Sequence, residues 1–174
     1  MFNNILPDYG IQVRFFDPMN PDDAAALVNE KTRAVYVESI GNPSLSVPDF
    51  AALSDMAHSH GLPLIVDSTF TTPVHFRALE NGADISINSL TKWIGGHGVG
   101  IGGSVTDAGQ FDWKSERFPS LNEPDSSYHN LRFAHDLGDN SHLAYILRMR
   151  VVPLRNLGAA LSADNAWMFL QGIE

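Results

Sequence analysis

The sequence predicts an α/β fold in which a mostly parallel β-sheet is covered by helices on both faces. Short apolar segments alternate with segments of helical periodicity, and the links between them are short. Polar residues also follow three of the apolar segments, at Glu38, Asp67 and Ser89. Because ligands gather at the carboxyl ends of parallel strands, these three residues predict where a site lies.

The predicted strands are short segments that polar turns separate. They cover residues 34–38, 62–66, 84–88 and 102–106. The short apolar run Val13–Phe16 is a further strand candidate.

Two helices are predicted between the first strands. One spans residues 23–29, with Asn20 or Asp22 as its N-terminal cap. The next begins at Pro48, because proline suits a first helical turn, and Gly61 ends it. A regular repeat of apolar residues gives this second helix one buried face.

The rest of the chain is less regular. A short helix is predicted over residues 74–80. Residues 107–144 are polar and rich in turns, which indicates a surface excursion or a partly disordered segment. Residues 143–173 are predicted to be helical again, with a break at Pro153.

The composition excludes several classes of function. The chain has 174 residues, one domain's length, and a net charge of -9 without any cluster of basic residues, so neither nucleic acid nor an anionic membrane is an expected partner. It has no cysteine, which excludes disulfides, thiolate metal sites and cysteine nucleophiles and is compatible with a cytoplasmic location. No apolar run is long enough to span a bilayer, and the first residues lack the features of a signal peptide.

Residues 89–98 carry the most informative chemistry, with the sequence Ser-Leu-Thr-Lys-Trp-Ile-Gly-Gly-His-Gly. Pyridoxal 5'-phosphate (PLP) needs a primary amine for an imine bond, small donors for its phosphate and an acid for its pyridine nitrogen. Lys92 offers the amine, and Ser89 and Thr91 offer hydroxyl donors. Asp67 offers the acid, and a carboxylate at the ring nitrogen favours the pyridinium that serves as an electron sink.

Three segments in order resemble a known family. They are residues 38–44 (Glu-Ser-Ile-Gly-Asn-Pro-Ser), 66–73 (Val-Asp-Ser-Thr-Phe-Thr-Thr-Pro) and 89–98. They resemble the Cys/Met-metabolism PLP enzymes, which include cystathionine γ-synthase, cystathionine γ-lyase, methionine γ-lyase and O-acetylhomoserine sulfhydrylase. The resemblance runs over essentially the whole chain. The runs 41–45 and 154–159, with the glycine-rich turn, most resemble O-acetylhomoserine sulfhydrylases.

The resemblance implies a fold type I large domain, similar to that of aspartate aminotransferase, with PLP as its cofactor. Lys92 would form the Schiff base and shuttle protons, and Asp67 would pair with the pyridine nitrogen. Ser89 and Thr91 would hold the phosphate.

Three further roles follow from the same resemblance. Asn42 would donate to the phenolic oxygen of the cofactor, Thr69 would lie near the ring, and Glu38 would lie on the substrate side. The implied partners are an amino-acid substrate, sulfide or a thiol, and further copies of the chain in a dimer or tetramer.

The implied reaction is γ-replacement on O-acetylhomoserine with sulfide or a thiol, giving homocysteine or methionine. The alternatives are cystathionine γ-synthase or γ-lyase activity on the same scaffold, and a truncated chain without catalysis. Family members are much longer, and their upstream Tyr-x-Arg pair and downstream substrate-binding arginine have no match here. Residues 1–150 are therefore expected to form part of the PLP-binding large domain, and residues 151–174 to begin a helical connection.

Two other interpretations are rejected. Residues 98–103 match the G-x-G-x-x-G pattern of dinucleotide-binding folds, but a predicted strand follows them where that motif requires a helix. The seven histidines lack the spacing of metal ligands, so no metal site is predicted.

Overall fold

The computed structural model describes residues 1–173 and contains a four-stranded sheet with the order β1-β2-β3-β4. The strands are β1 (Val35–Glu38), β2 (Leu64–Asp67), β3 (Ile85–Ser89) and β4 (Gly103–Asp107). The first three are parallel, and β4 runs antiparallel to β3. The predicted α/β class with a mostly parallel sheet is confirmed.

The helices differ in their bounds from the prediction. They are α1 (Pro21–Leu27), α2 (Phe50–Ser59), α3 (Thr72–His75), α4 (Pro119–Asn122), α5 (Ala144–Met149), α6 (Arg155–Leu157) and α7 (Ala163–Ile173). Asp49 caps α2 by accepting a hydrogen bond from Ala52 N–H at 3.0 Å. Asn20 occupies the cap position of α1, but its side chain makes no capping hydrogen bond.

Three predictions about secondary structure were wrong. Residues 11–17 form no strand, because Val13–Phe16 finds no neighbouring strand to pair with. The single helix over residues 74–80 is instead α3 followed by a separate 3-10 turn, Ala78–Asn81.

The third error concerns the end of the chain. Pro153 lies inside a π-helical turn, Arg150–Leu154, that continues α5 into α6. The helical run ends instead at Gly158, whose left-handed backbone (φ 69°) a glycine adopts without steric cost. No helix within residues 1–173 is long and apolar enough to cross a membrane.

Each face of the sheet packs against its own apolar cluster. Since side chains alternate along a strand, Val35, Val37, Leu64 and Val66 face α2, where they meet its buried residues Leu53 and Ala57. The opposite face, with Ile65, Ile85 and Ile87, packs against the segment 111–152. The sheet is therefore covered on both sides, as predicted.

The segment 107–144 is not a surface excursion. Its side chains Trp113, Phe118, Leu121 and Phe133 are buried against the sheet, and the first three are 4 to 7% exposed while Phe133 is fully buried. Apart from Leu121 in the single-turn helix α4, these residues lie in irregular backbone, so they follow neither the helix period nor the strand period. That is why the sequence pattern did not reveal this half of the core.

Candidate functional site

Three strand ends bring the predicted site together at one edge of the sheet. The register pairs Glu38 with Asp67, and Asp67 with Ile87. Ser89 lies two residues beyond Ile87, so all three predicted residues stand on the face that packs against the segment 111–152. The prediction that Glu38, Asp67 and Ser89 share the carboxyl edge is confirmed by this register.

Two neutral donors hold the Asp67 carboxylate. The Tyr36 hydroxyl donates to Oδ2 at 2.9 Å, and the backbone N–H of Thr69 donates to Oδ1 at 3.0 Å. Burial, followed by the charge of Asp67, raises the pKa of Tyr36 above its usual value, so this phenol stays protonated and donates. A carboxylate can accept about four hydrogen bonds, and Asp67 therefore keeps free acceptor positions on both oxygens.

Thr69 joins the ends of β2 and β3. Its hydroxyl oxygen accepts a hydrogen bond from Ser89 N–H at 2.8 Å, while its own N–H binds Asp67. Thr69 thus fixes the position of Asp67 relative to the end of β3, which leads to Lys92. The hydroxyl of Ser89 makes no hydrogen bond within residues 1–173 and is available as a donor.

Lys92 lies in a π-helical turn, Leu90–Ile94, that follows β3 directly and is called the lysine turn below. Its backbone departs from helical angles (φ -93°, ψ -122°), and its side chain is exposed. Across residues 1–173 its amine makes neither a hydrogen bond nor an ion pair. The exposed Lys92 amine, which has no partner among the described residues, is therefore accessible to a ligand.

The Thr91 hydroxyl already serves the backbone. It accepts from Gly102 N–H at 3.0 Å and donates to the Gly102 carbonyl at 3.2 Å, which ties the lysine turn to the start of β4. Of the two hydroxyls predicted to bind phosphate, only that of Ser89 is unengaged. The role of Thr91 toward a phosphate remains a prediction.

Helix α7 packs against the lysine turn and the glycine-rich loop that follows it. Phe169 is 3% exposed and lies against Gly95 and Gly102. A Cβ added at Gly102 would collide with its ring, whereas one added at Gly95 would collide with the Leu90 carbonyl and also crowd the ring. Asn165 Nδ2 donates to the Ile101 carbonyl at 3.0 Å. Glycine is therefore required at position 102 because the helix packs directly on the backbone of the loop.

The last two predicted residues lie at the end of β1 and in the loop that follows it. Glu38 Oε2 accepts a hydrogen bond from the backbone N–H of Asn42 at 2.8 Å, so the carboxylate holds this loop. The Asn42 side chain is exposed and makes no hydrogen bond to another predicted site residue. Their roles toward a cofactor and a substrate remain predictions.

Sequence reasoning overlooked Tyr36 and Phe169. Tyr36 lies two residues before Glu38, so strand periodicity places it on the site's face, but only the register shows that it reaches Asp67. Phe169 belongs to a helix far along the chain, and no local pattern relates it to the lysine turn.

The donor set fits the chemical needs of PLP. An unpaired amine, a carboxylate with free acceptor positions and a free hydroxyl match the three chemical needs of that cofactor. Within the described residues, no group of three His, Asp or Glu side chains is placed to bind a metal ion.

Comparisons with known proteins agree with this chemistry. The chain is 44% identical to the O-acetyl-L-homoserine sulfhydrylase of Leptospira meyeri, over 97% of the chain and 39% of that protein. It is 45% identical to the homocysteine synthase of Schizosaccharomyces pombe, over 100% of the chain and 41% of that protein. The chain thus spans well under half the length of these relatives.

A solved structure shows the same fold. It is that of a Campylobacter jejuni protein described as an O-acetylhomoserine (thiol)-lyase, and it contains N'-pyridoxyl-lysine-5'-monophosphate. The TM-score is 0.87 at 31% identity, over 98% of the chain and 42% of that structure. Residues 1–174 also match a family model. The chain therefore belongs to the family of Cys/Met metabolism PLP-dependent enzymes.

Proposed function

We propose that this chain provides the PLP-binding core of an enzyme that carries out γ-replacement on O-acetylhomoserine with sulfide or a thiol. The observation that carries the proposal is the unpaired Lys92 amine, at the same sheet edge as the doubly held Asp67 carboxylate. The relatives named above as a sulfhydrylase and a homocysteine synthase support this substrate class over the alternatives.

Each residue has a proposed task. When bound, PLP withdraws electrons from the amino-acid substrate and so weakens its bonds to hydrogen and to the leaving group. Asp67 pairs with the pyridine nitrogen and supplies its counter-charge. Lys92 holds the cofactor covalently and afterwards moves protons at the substrate carbons. The Ser89 hydroxyl donates to the phosphate, with Thr91 as a second donor.

The other three residues shape the site. Asn42 donates to the phenolic oxygen of the cofactor, Thr69 lies near its ring while keeping Asp67 in place, and Glu38 lies on the substrate side. In the net reaction the C–O bond to acetate breaks, the C–S bond forms, and the proton of sulfide leaves with acetate.

The remaining parts of the proposal concern organisation. Residues 1–150 would form part of the cofactor-binding domain, and residues 151–174, of which the last lies outside the described residues, would begin a connection to a further domain. We also propose a homo-oligomer, because exposed apolar side chains such as Val74 (86%) and Trp93 (61%) favour contact with another surface. A cytoplasmic location is proposed from the absence of cysteine.

The decisive experiment exploits the small number of lysines. The chain has three, Lys31, Lys92 and Lys114. The purified protein is incubated with PLP, desalted and examined for a visible absorbance band, and borohydride reduction with peptide mass spectrometry then locates the modified lysine. We expect the band in Lys31→Ala and Lys114→Ala but not in Lys92→Ala.

The outcome also separates the alternatives. Homocysteine formed from O-acetylhomoserine and sulfide supports γ-replacement, whereas 2-oxobutanoate formed from cystathionine or methionine indicates γ-elimination. A chain that folds but retains no cofactor at Lys92 contradicts the proposal and supports a core without catalysis.

A further inference from the structure

We propose that Tyr36 is a positioning residue for the cofactor, whose hydroxyl sets how firmly the Asp67 carboxylate pairs with the pyridine nitrogen. This inference rests on the proposed function, since it assumes that the chain binds PLP. It assigns a role to Tyr36, a residue of β1 that the sequence analysis did not predict to belong to the site.

The geometry of the two strands brings Tyr36 to Asp67. Tyr36 pairs in register with Ile65, and Asp67 lies two residues further along β2 on the same face. The phenol therefore crosses the sheet diagonally, and its oxygen lies 2.9 Å from Asp67 Oδ2. This is the only side-chain hydrogen bond to the carboxylate within residues 1–173.

The hydrogen bond orients a charge that no cation neutralises. Asp67 takes part in no ion pair in the described part of the chain, and its register partner Glu38 carries a charge of the same sign. Only the Tyr36 hydroxyl and Thr69 N–H fix its two oxygens. Without the phenol, Oδ2 has no donor and the carboxylate can rotate about its side-chain bonds, which weakens its pairing with a pyridinium.

The phenol is suited to act only as a donor. Burial and two nearby carboxylates, first Asp67 and then Glu38, keep the pKa of Tyr36 above its usual value. Its ring also contacts Phe2, with 5.1 Å between ring centroids and an interplanar angle of 59°. A purely structural role through that contact is the competing explanation, and Tyr36→Phe preserves the ring while removing only the hydroxyl.

The test compares two ligands in four proteins. Dissociation constants for PLP, and for its analogue with CH in place of the ring nitrogen, are measured by absorbance titration. The proteins are the unaltered chain, Tyr36→Phe, Asp67→Asn and the double variant. We expect Tyr36→Phe to weaken PLP binding by about two- to tenfold, because binding must then order the Asp67 side chain that the phenol held in place beforehand. The analogue, which offers Asp67 no ring nitrogen, should bind the unaltered chain and Tyr36→Phe equally.

The controls separate the ways in which the inference can fail. In the Asp67→Asn background the Tyr36→Phe change should have no further effect on PLP binding. Equal weakening for PLP and the analogue, or persistence of the effect without Asp67, would show a structural role and overturn the inference. If the unaltered chain takes up no PLP, the proposed function fails and this inference with it. If the unaltered chain binds PLP and Tyr36→Phe binds it equally well, the inference about Tyr36 fails while the proposed function stands.

A second readout needs no cofactor. Labelling the four tyrosines with ¹³C at Cζ allows their resonances to be observed at neutral pH in the cofactor-free protein, and Tyr36→Phe identifies the resonance of Tyr36. We expect Asp67→Asn to shift this resonance, since the hydroxyl then loses its hydrogen bond to a charged carboxylate. An unchanged resonance would show that the two side chains do not interact in solution and would overturn the inference.

Discussion

Phe169→Ala should release α7 from the lysine turn. Phe169 is the one buried residue of this helix, whereas Trp167, Leu170 and Ile173 are 59 to 66% exposed. Replacing a buried Phe by Ala costs about 3 to 5 kcal/mol. The lower end of that range applies here, because the ring packs against a single loop at the edge of the molecule.

The loss should appear as local opening before global unfolding. A helix of 11 residues is marginal in isolation and depends on its packed face. The facing residues Gly95 and Gly102 have no side chains that can fill the space left by the ring. A cost of about 3 kcal/mol raises the opening equilibrium by about two orders of magnitude.

Amide hydrogen exchange measures this opening. Protection should fall by about that factor in residues 163–173 and, to a smaller extent, in the Leu90–Ile94 turn that the helix covers. Leu170→Ala is the matched control on the same helix, and it should change stability by less than about 0.5 kcal/mol because the side chain is 59% exposed. If exchange around Lys92 were the same in both variants, the claim that α7 steadies the lysine turn would be refuted.

Two further changes test the edge of the sheet where β2 and β3 begin, opposite the candidate site. Asp107 has its pKa raised, chiefly by burial, and its Oδ2 has no hydrogen-bond partner within residues 1–173. A raised folded-state pKa favours the protonated carboxyl, so stability falls as pH rises through that pKa. Asp107→Asn should therefore raise the free energy of unfolding, measured by urea titration, by up to about 1 kcal/mol at pH 7. This gain should vanish below about pH 4, where the carboxyl of Asp107 is protonated in both states. A gain independent of pH would contradict this reasoning. His58 Nε2 lies 2.9 Å from Oδ2 of Asp84, and that oxygen also accepts a hydrogen bond from Leu64 N–H at 2.7 Å. Because this second bond remains, His58→Ala should cost about 1 kcal/mol in the same assay, while the exposed His75→Ala should cost almost nothing.

Much of the site could be predicted because its residues follow strands. Strand ends are visible in the sequence wherever an apolar run meets a polar residue, as at Asp67 and Ser89. Parallel order then places such ends at a common edge. Lys92 was identified by the hydroxyls before it and the glycines after it, which are again local features.

The errors have a common physical origin. Val13–Phe16 has the composition of a strand but no partner, and a strand exists only when its backbone groups pair with another. The segment 107–144 has the composition of a loop, yet Trp113 and Phe133 bury their rings against the sheet. In both cases distant contacts, and not local preference, decided the structure.

The sequence by itself determined the alternation of strands and helices, the family and the lysine that is proposed to hold the cofactor, since each depends on the local order of residues. Only the tertiary structure decided that Tyr36 reaches Asp67, that Thr91 is bonded to Gly102, and that Phe169 packs beside the lysine turn. These are contacts between residues far apart along the chain. They depend on strand register and on close packing, which no short segment of the sequence encodes.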